Sequence, residues 1–178
     1  MTISLFLLVG GFFVFLLVLS KRPIINVINE NNWLVQKLKK RKSFKNPSFV
    51  GMVLFMGNGV MFLITMAFLY LLMFLLIPYM HLIVMIIAVI SSIFFWAIVH
   101  HAWNGTNKDR LKIATIGSSF YIIVCIIFAY WYVSYQPSHP EEDTFMAAIG
   151  FTIAIFVTSV AAVTCFIYTG FVSRTTKQ

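Results

Sequence analysis

The sequence predicts an all-helical membrane protein with five transmembrane helices, built as a single membrane domain over residues 1–178. Only 10% of the residues are charged and 61% are hydrophobic, whereas a soluble domain carries about 25% charged residues. Several uncharged runs reach the length of about 20 residues that a membrane-spanning helix needs. All 13 lysines and arginines fall outside those runs.

The first predicted span covers residues 3–19. A cleaved secretory signal peptide is the alternative, and it would carry positive charge before its apolar core and a small-residue cleavage site after it. In this chain the charges Lys21 and Arg22 come after the apolar run, and no Ala-x-Ala-like site precedes them. We therefore expect a retained membrane anchor.

The connection 21–47 is predicted to be amphipathic and basic. Its apolar residues recur at intervals of four and seven, which places them near one face of a helix. Such a helix would lie along the lipid headgroups with its apolar side down; an ordinary solvated linker is the alternative. The apolar residues are Val27, Ile28, Leu34, Val35 and Leu38, and the clustered cations are Lys37, Lys39, Lys40, Arg41, Lys42 and Lys45.

The second predicted span, 48–77, is longer than one membrane crossing needs. Thirty residues extend over about 45 Å as a helix, against a hydrocarbon core of about 30 Å. The helix must therefore tilt, leave the bilayer or break. Gly57-Asn58-Gly59 is the predicted break, because glycine lowers helix propensity and the Asn58 amide needs a partner in lipid.

The third predicted span, 81–103, carries a polar side. Ala88, Ser92, Trp96 and His100 recur every four residues. This spacing places them on one side of the helix.

The last two predicted spans are 113–135 and 145–171. The fourth ends in a group of tyrosines and a tryptophan, which is typical of an interfacial aromatic belt. The fifth carries small residues four positions apart, a pattern that lets another helix approach closely. That partner helix can belong to the same chain or to another one. The small residues are Gly150, Ala154, Thr158 and Ala162.

The charge distribution predicts the orientation. Every lysine and arginine falls in the connection 21–47, the loop 104–112 or the C-terminal tail, while the loop before the fifth span holds Glu141, Glu142 and Asp143. Because positive loops stay inside, we expect the N-terminus outside and the C-terminus inside. The basic excess then reflects sidedness and contact with anionic headgroups, and no nucleic-acid partner is predicted. A bacterial plasma membrane is the expected location.

The predicted spans carry no aspartate, glutamate, lysine or arginine. Ionisable residues at membrane depth are typical of proton relays and ion-coupled transporters. Their absence disfavours such a transporter and paired-carboxylate catalysis, and no catalytic residue is predicted.

Two groups of residues are candidates for a site. A polar membrane site is predicted from Asn58, Ser92, His100 and His101. Weaker candidates for a metal site are His81, His139 and Glu141, which would have to converge from different helices; a solvated acidic turn is the alternative. No cofactor is predicted, although a haem shared with a partner subunit stays open.

The predicted function is that of a non-catalytic membrane accessory, regulatory or immunity-type subunit. It would act through helix packing and anionic-lipid contact, with another membrane protein or a second copy of the chain as partner. A small oligomeric transporter or channel with a broken helix at Gly57-Asn58-Gly59 is the first alternative. A metal- or haem-binding subunit of a larger redox complex is the second.

Overall fold

The computed structural model describes residues 33–40, 42–75, 79–103, 105–137 and 144–171. Every regular element within these ranges is a helix. The all-helical prediction is therefore confirmed for the described residues. The predicted first span and the C-terminal tail lie outside them.

Four long helices correspond to the predicted second to fifth spans. Each is long and apolar enough to cross a membrane, which indicates a multi-pass membrane protein. They are α2 (Pro47–Leu75), α3 (Met80–Ala102), α4 (Asn107–Ser134) and α5 (Thr144–Gly170). A short helix, α1 (Trp33–Lys39), and a 3-10 helix (Lys42–Lys45) precede them.

Helix α4 begins at Asn107, earlier than the predicted start at 113. Thr106 caps this helix, because its side chain accepts a hydrogen bond from the Asp109 amide at 3.3 Å and donates one to the Asp109 carboxylate at 2.7 Å. A side-chain oxygen at this position satisfies an amide that the first turn leaves open. Arg110 therefore lies within the helix, although the sequence analysis placed it in a loop.

Helix α2 is continuous through Gly57-Asn58-Gly59, so the predicted break is wrong. Both glycines sit where an aromatic side chain of another helix approaches. A Cβ at Gly57 would overlap the Phe95 ring, and one at Gly59 would lie 3.3 Å from Phe120. The packing that these glycines permit offsets their propensity cost of about 1 kcal/mol each.

The four long helices form a bundle in which consecutive helices run in opposite directions. Helix α2 packs on α3 and α4, and α5 packs on the same two helices, with α4 and α5 in the most extensive contact. Helix α1 packs on α3 and the 3-10 helix packs on α2. We call the end where these short elements lie the basic end, since the lysines of the described residues are there, and the opposite end the far end.

The apolar side of helix α1 packs against the rest of the protein. Val35 is 0% exposed, and Leu38 packs against the buried core. Trp33 on the same helix is exposed, and the Lys37 Nζ lies 4.5 Å from the centroid of its ring. For residues 33–40 the predicted apolar side therefore packs on the bundle, while Val27 and Ile28 of the same prediction lie outside the described residues.

The core occupies only the half of the bundle nearer the basic end. In α2 the buried residues end at Asn58, in α3 they begin at Ile93, in α4 they end at Tyr121 and in α5 they begin at Thr158. The far half of each long helix has no buried residue among those described. The polar residues of the candidate site are consequently held in the packed half.

Candidate functional site

Asn58 is the point at which all four long helices meet. Its side chain on α2 is 1% exposed. The amide oxygen accepts a hydrogen bond from Trp96 Nε1 on α3 at 2.8 Å. The amide nitrogen donates to the Gly117 carbonyl on α4 at 3.0 Å and to Cys165 Sγ on α5 at 3.6 Å. One side chain thus links its own helix to the three others.

Glycine at position 117 brings α4 close enough for this contact. A Cβ there would overlap the Leu54 side chain of α2, and a Cβ at Gly51 would lie 2.8 Å from Ile116 Cβ. Without those methyl groups the two helices approach closely, as small residues allow in membranes. The Asn58 amide can then reach a backbone carbonyl of the neighbouring helix.

A ring of aromatic and hydroxyl groups surrounds Asn58. The Trp96 indole lies edge-on to Tyr121, with ring centroids 6.1 Å apart, and 6.3 Å from the ring of Tyr168. The Ser92 side chain lies beside the Tyr121 hydroxyl. We call Asn58, Ser92, Trp96, Tyr121 and Cys165 the asparagine hub.

A second polar cluster lies closer to the basic end. Arg110 on α4 is 7% exposed and His100 on α3 is 3% exposed. Arg110 Nη1 lies 3.3 Å from His100 Nε2, and Arg110 Nη2 donates to the Trp103 carbonyl at 3.4 Å. Because cations are favourable at the C-terminal end of a helix, the guanidinium stabilises the end of α3.

Beside this pair is a cavity of about 10 Å³, lined by Val99, His100, Trp103, Arg110, Ile113 and Thr169. A space of roughly 10–15 Å³ is enough for one water molecule. The cavity therefore suits a single small polar molecule in contact with the Arg110–His100 pair.

The structure divides the predicted polar site into two parts. Asn58 and Ser92 belong to the asparagine hub, while His100 belongs to the cluster with Arg110. His101 is half-buried, and its ring lies edge-on to that of His100 with centroids 5.7 Å apart.

The weak metal candidates do not form a described site. His81 is exposed near the far end of α3, while His139 and Glu141 lie outside the described residues. Within the described ranges, no three histidine, cysteine, aspartate or glutamate side chains are grouped so that they could hold a metal ion.

The small residues of α5 fall into two environments. Thr158 and Ala162 are buried, Ala154 is half-buried and Gly150 is exposed. A Cβ at Gly150 would meet nothing within 4 Å. The stripe therefore packs inside the bundle towards the basic end and is uncovered towards the far end.

The predicted lipid-binding lysines lie at the basic end. Lys37, Lys40 and Lys45 are exposed and Lys39 is half-buried. Lys42 belongs to the 3-10 helix, and Arg41 lies outside the described residues.

The chain has no significant match among known protein families, curated proteins or solved structures. A functional assignment therefore depends on the two polar clusters, the basic end and the exposed helix surfaces.

Sequence reasoning missed Arg110 as a site residue and the donor role of Trp96. Arg110 could have been found, because Thr106 followed by Asp109 is a helix-start pattern that places the next residue in a first turn. Trp96 was placed on the correct side of α3, but nothing in the sequence indicates which acceptor its indole reaches.

Proposed function

We propose that this chain is a non-catalytic accessory subunit of a bacterial plasma membrane, with its C-terminus inside. The far half of the bundle binds another membrane protein or a second copy, and the basic end contacts anionic headgroups. The main observation behind the proposal is that the two halves of the bundle pack differently. The half at the basic end contains the buried core, whereas apolar side chains of the far half are exposed.

The far halves of α2 and α3 offer a large exposed apolar surface. Leu63, Met73, Ile86 and Ile90 are each more than half exposed, and no charged residue interrupts them. Methionine-rich surfaces adapt to differently shaped partners. These two helices therefore supply a surface that another transmembrane segment can cover.

Gly150 gives the proposed surface a second point of contact. It lies near the far end of α5, next to the exposed Met146 and Ile153, with open space where a side chain would be. Because small residues let two helix backbones approach in lipid, a partner helix can pack closely here.

The folding of α1 explains why the basic end can contact lipid. Val35 and Leu38 pack towards the bundle, so Lys37 and Lys40 are left on the outside. Lys45, in the 3-10 helix, is exposed as well. Each cation near an anionic membrane surface contributes roughly 1 kcal/mol of attraction. The lysines would thus hold the basic end at the headgroups while the far half engages a partner.

Site-specific photo-crosslinking in cells tests the partner surface. A photoreactive residue at Ile86 or Met66, both exposed in the far half, should form one adduct of defined mass with the same protein. The matched control is Leu111, which is exposed at the basic end and should not form that adduct. A solitary monomer in mild detergent, with no protein adduct from either far-half position, would contradict the proposal.

Nanodiscs of defined composition test the lipid contact separately. Anionic lipid should raise the melting temperature of the purified chain, and changing Lys37, Lys40 and Lys45 together to glutamine should remove most of that increase. The same three positions changed to arginine keep the charge and should keep the effect. An unchanged anionic-lipid effect in the glutamine variant would show that these lysines serve topology alone.

The broken helix that the transporter or channel alternative invoked is absent, because α2 is continuous through Gly57-Asn58-Gly59. The Asn58 side chain is bonded to three neighbouring helices. The transporter or channel function itself stays a prediction.

A further inference from the structure

Helices α2 and α4 pack side by side and run in the same direction. Both begin at the basic end, α2 at Pro47 and α4 at Asn107, and they are in extensive contact. A Cβ at Gly51 of α2 would lie 2.8 Å from Ile116 Cβ of α4. One helical turn earlier on each helix, Pro47 is therefore level with Lys112. The two helices thus bring their first turns and this lysine to the same level of the bundle.

Two exposed lysines, Lys108 and Lys112, lie one turn apart near the start of α4. Like charges at this spacing repel each other, and the first turns of a helix disfavour cations. The carboxylate of the neighbouring Asp109 accepts the Thr106 hydroxyl at 2.7 Å. A negatively charged group in contact with both lysines would relieve their repulsion.

The side of α4 that carries Lys112 changes from charged to apolar along the helix. No charged residue follows Lys112 before the helix ends at Ser134. About three turns beyond Lys112, on the same side of the helix, Ile123 is exposed. An anionic phospholipid has the matching order of groups, since its charged headgroup is followed by apolar acyl chains. This side of α4 therefore suits a phospholipid whose phosphate lies at the two lysines.

Three phenylalanine rings lie along the line where α2 and α4 meet. The Phe120 ring of α4 is edge-on to the Phe55 ring of α2, with centroids 5.5 Å apart, and its centroid lies 5.9 Å from that of Phe62. All three side chains are half-buried, so part of each ring is accessible from outside the bundle. The surface that we call the α2–α4 seam is formed by Lys108, Lys112, Phe55, Phe62 and Phe120.

The helix dipoles at the basic end differ between the two pairs of parallel helices. Helices α2 and α4 begin at this end, whereas α3 and α5 end there. The N-terminal end of a helix favours anions and the C-terminal end favours cations. The dipoles therefore favour a phosphate beside α2 and α4, which is the side that carries Lys108 and Lys112.

We propose that one anionic phospholipid molecule, from the leaflet at the basic end, binds along the α2–α4 seam. Its phosphate contacts Lys108 and Lys112, and an acyl chain lies over the three phenylalanine rings. The occupant is a lipid because a free phosphate ion would contact the lysines and leave the apolar part of the seam uncovered. This inference rests on the proposed contact of the basic end with anionic headgroups and adds a specific lipid site to it.

Native mass spectrometry of the detergent-purified chain tests the site by counting bound lipids. Wild-type protein should retain one added phosphatidylglycerol molecule, and it should not retain phosphatidylcholine, which has no net charge. Changing Lys108 and Lys112 together to glutamine should weaken phosphatidylglycerol binding about thirtyfold, or roughly fivefold for each cation. Arginine at both positions should keep the lipid bound. Equal retention by the wild type and the glutamine variant would overturn the proposal.

The lysines of α1 provide the control that separates this site from the general headgroup contact. Lys37→Gln combined with Lys40→Gln removes two exposed cations from the same end and should leave the retained lipid in place. Excess inorganic phosphate should not displace the lipid; displacement would mean an anion site without acyl-chain contacts. If anionic nanodiscs stabilise the chain but no lipid is retained in detergent, the seam site is wrong and the general contact stands.

A phosphatidylglycerol with a photoreactive group in one acyl chain locates the occupant. In detergent-purified protein that retains one lipid, the labelled peptides should contain Phe55 or Phe120 and their neighbours. The peptide with Ile86 of α3, which is also exposed and apolar, should not be labelled. Equal labelling of the α3 peptide would mean that the lipid covers any exposed helix, and it would overturn the proposal.

Discussion

The two halves of the bundle are both apolar, yet they pack differently. In the half at the basic end, large side chains such as Leu54 and Trp96 are buried, and Leu54 lies against Gly117. In the far half, the α2 segment from Val60 to Leu75 and the first three turns of α3 consist almost wholly of large apolar residues. Most of these side chains are exposed.

The difference shows what forms a core when the solvent is lipid. Lipid tails are as apolar as leucine, so burying a leucine between helices gains little by transfer alone. Close packing at small residues and hydrogen bonds between helices supply the association. The basic-end half has Gly51, Gly57 and Gly117 together with the Asn58 amide, whereas the described far half has no hydrogen bond of this kind between α2 and its neighbours.

Replacing one leucine in each half of α2 by alanine should give the largest difference in the free energy of unfolding between the two halves. Leu54 is 0% exposed and Leu63 is 67% exposed. Leu54→Ala should lower the free energy of unfolding by about 2–5 kcal/mol, because it leaves a cavity in close-packed surroundings. Leu63→Ala should change it by no more than about 0.5 kcal/mol. Reversible unfolding of both variants in detergent measures the difference, and equal effects would show that the far half is packed as well.

Asn58→Leu should have the next largest effect. The substitution leaves the buried Trp96 Nε1 donor without its acceptor, and a buried group without a partner costs about 1–3 kcal/mol. Trp96→Phe removes the donor, so the leucine substitution should cost less in that background than in the wild type. The coupling energy from this double-mutant cycle should lie between about 0.6 kcal/mol, the average for hydrogen bonds between membrane helices, and their maximum of about 1.7 kcal/mol.

Thr65→Val is the control for Asn58→Leu in the far half of α2. Its hydroxyl donates to the Met61 carbonyl of the same helix at 2.8 Å, so no contact between helices is lost. Its effect on the free energy of unfolding should stay within about 0.5 kcal/mol. A zero coupling energy between Asn58 and Trp96 would mean that the hub does not hold the helices together.

Helix positions could be predicted from the sequence because apolar run length is a direct physical requirement of the bilayer. Three of the four described spans agree closely with their predictions. The start of α4 was misplaced, since Lys108 and Arg110 were taken as loop residues. Charged side chains can lie in the first turns of a spanning helix when they reach the membrane boundary.

The polar site was predictable only in part. The spacing of Ser92, Trp96 and His100 placed them on one side of α3, and that side faces the bundle. Their partners Tyr121 and Arg110 come from another helix, and helix rotation and crossing are not encoded in local periodicity. For α1 the periodicity identified an apolar side, but only the tertiary contact shows that α3 covers it.

Two glycine-to-alanine substitutions, one in each half, should change the stability by small amounts in opposite directions. At Gly150 a Cβ meets open space, so alanine should stabilise α5 by up to about 1 kcal/mol through its higher helix propensity. At Gly117 the same methyl group would overlap Leu54. There the overpacking, typically about 1–3 kcal/mol, should exceed the propensity gain and give a net loss.

Melting temperatures of the two alanine variants in the same detergent, relative to wild type, measure these opposite signs. A loss at Gly150 in cell membranes combined with a gain in detergent would mean that a partner helix occupies that position in the membrane. Stabilisation at both glycines would mean that α2 and α4 do not approach closely at Gly117, and the difference between the halves would then rest on the asparagine hub alone.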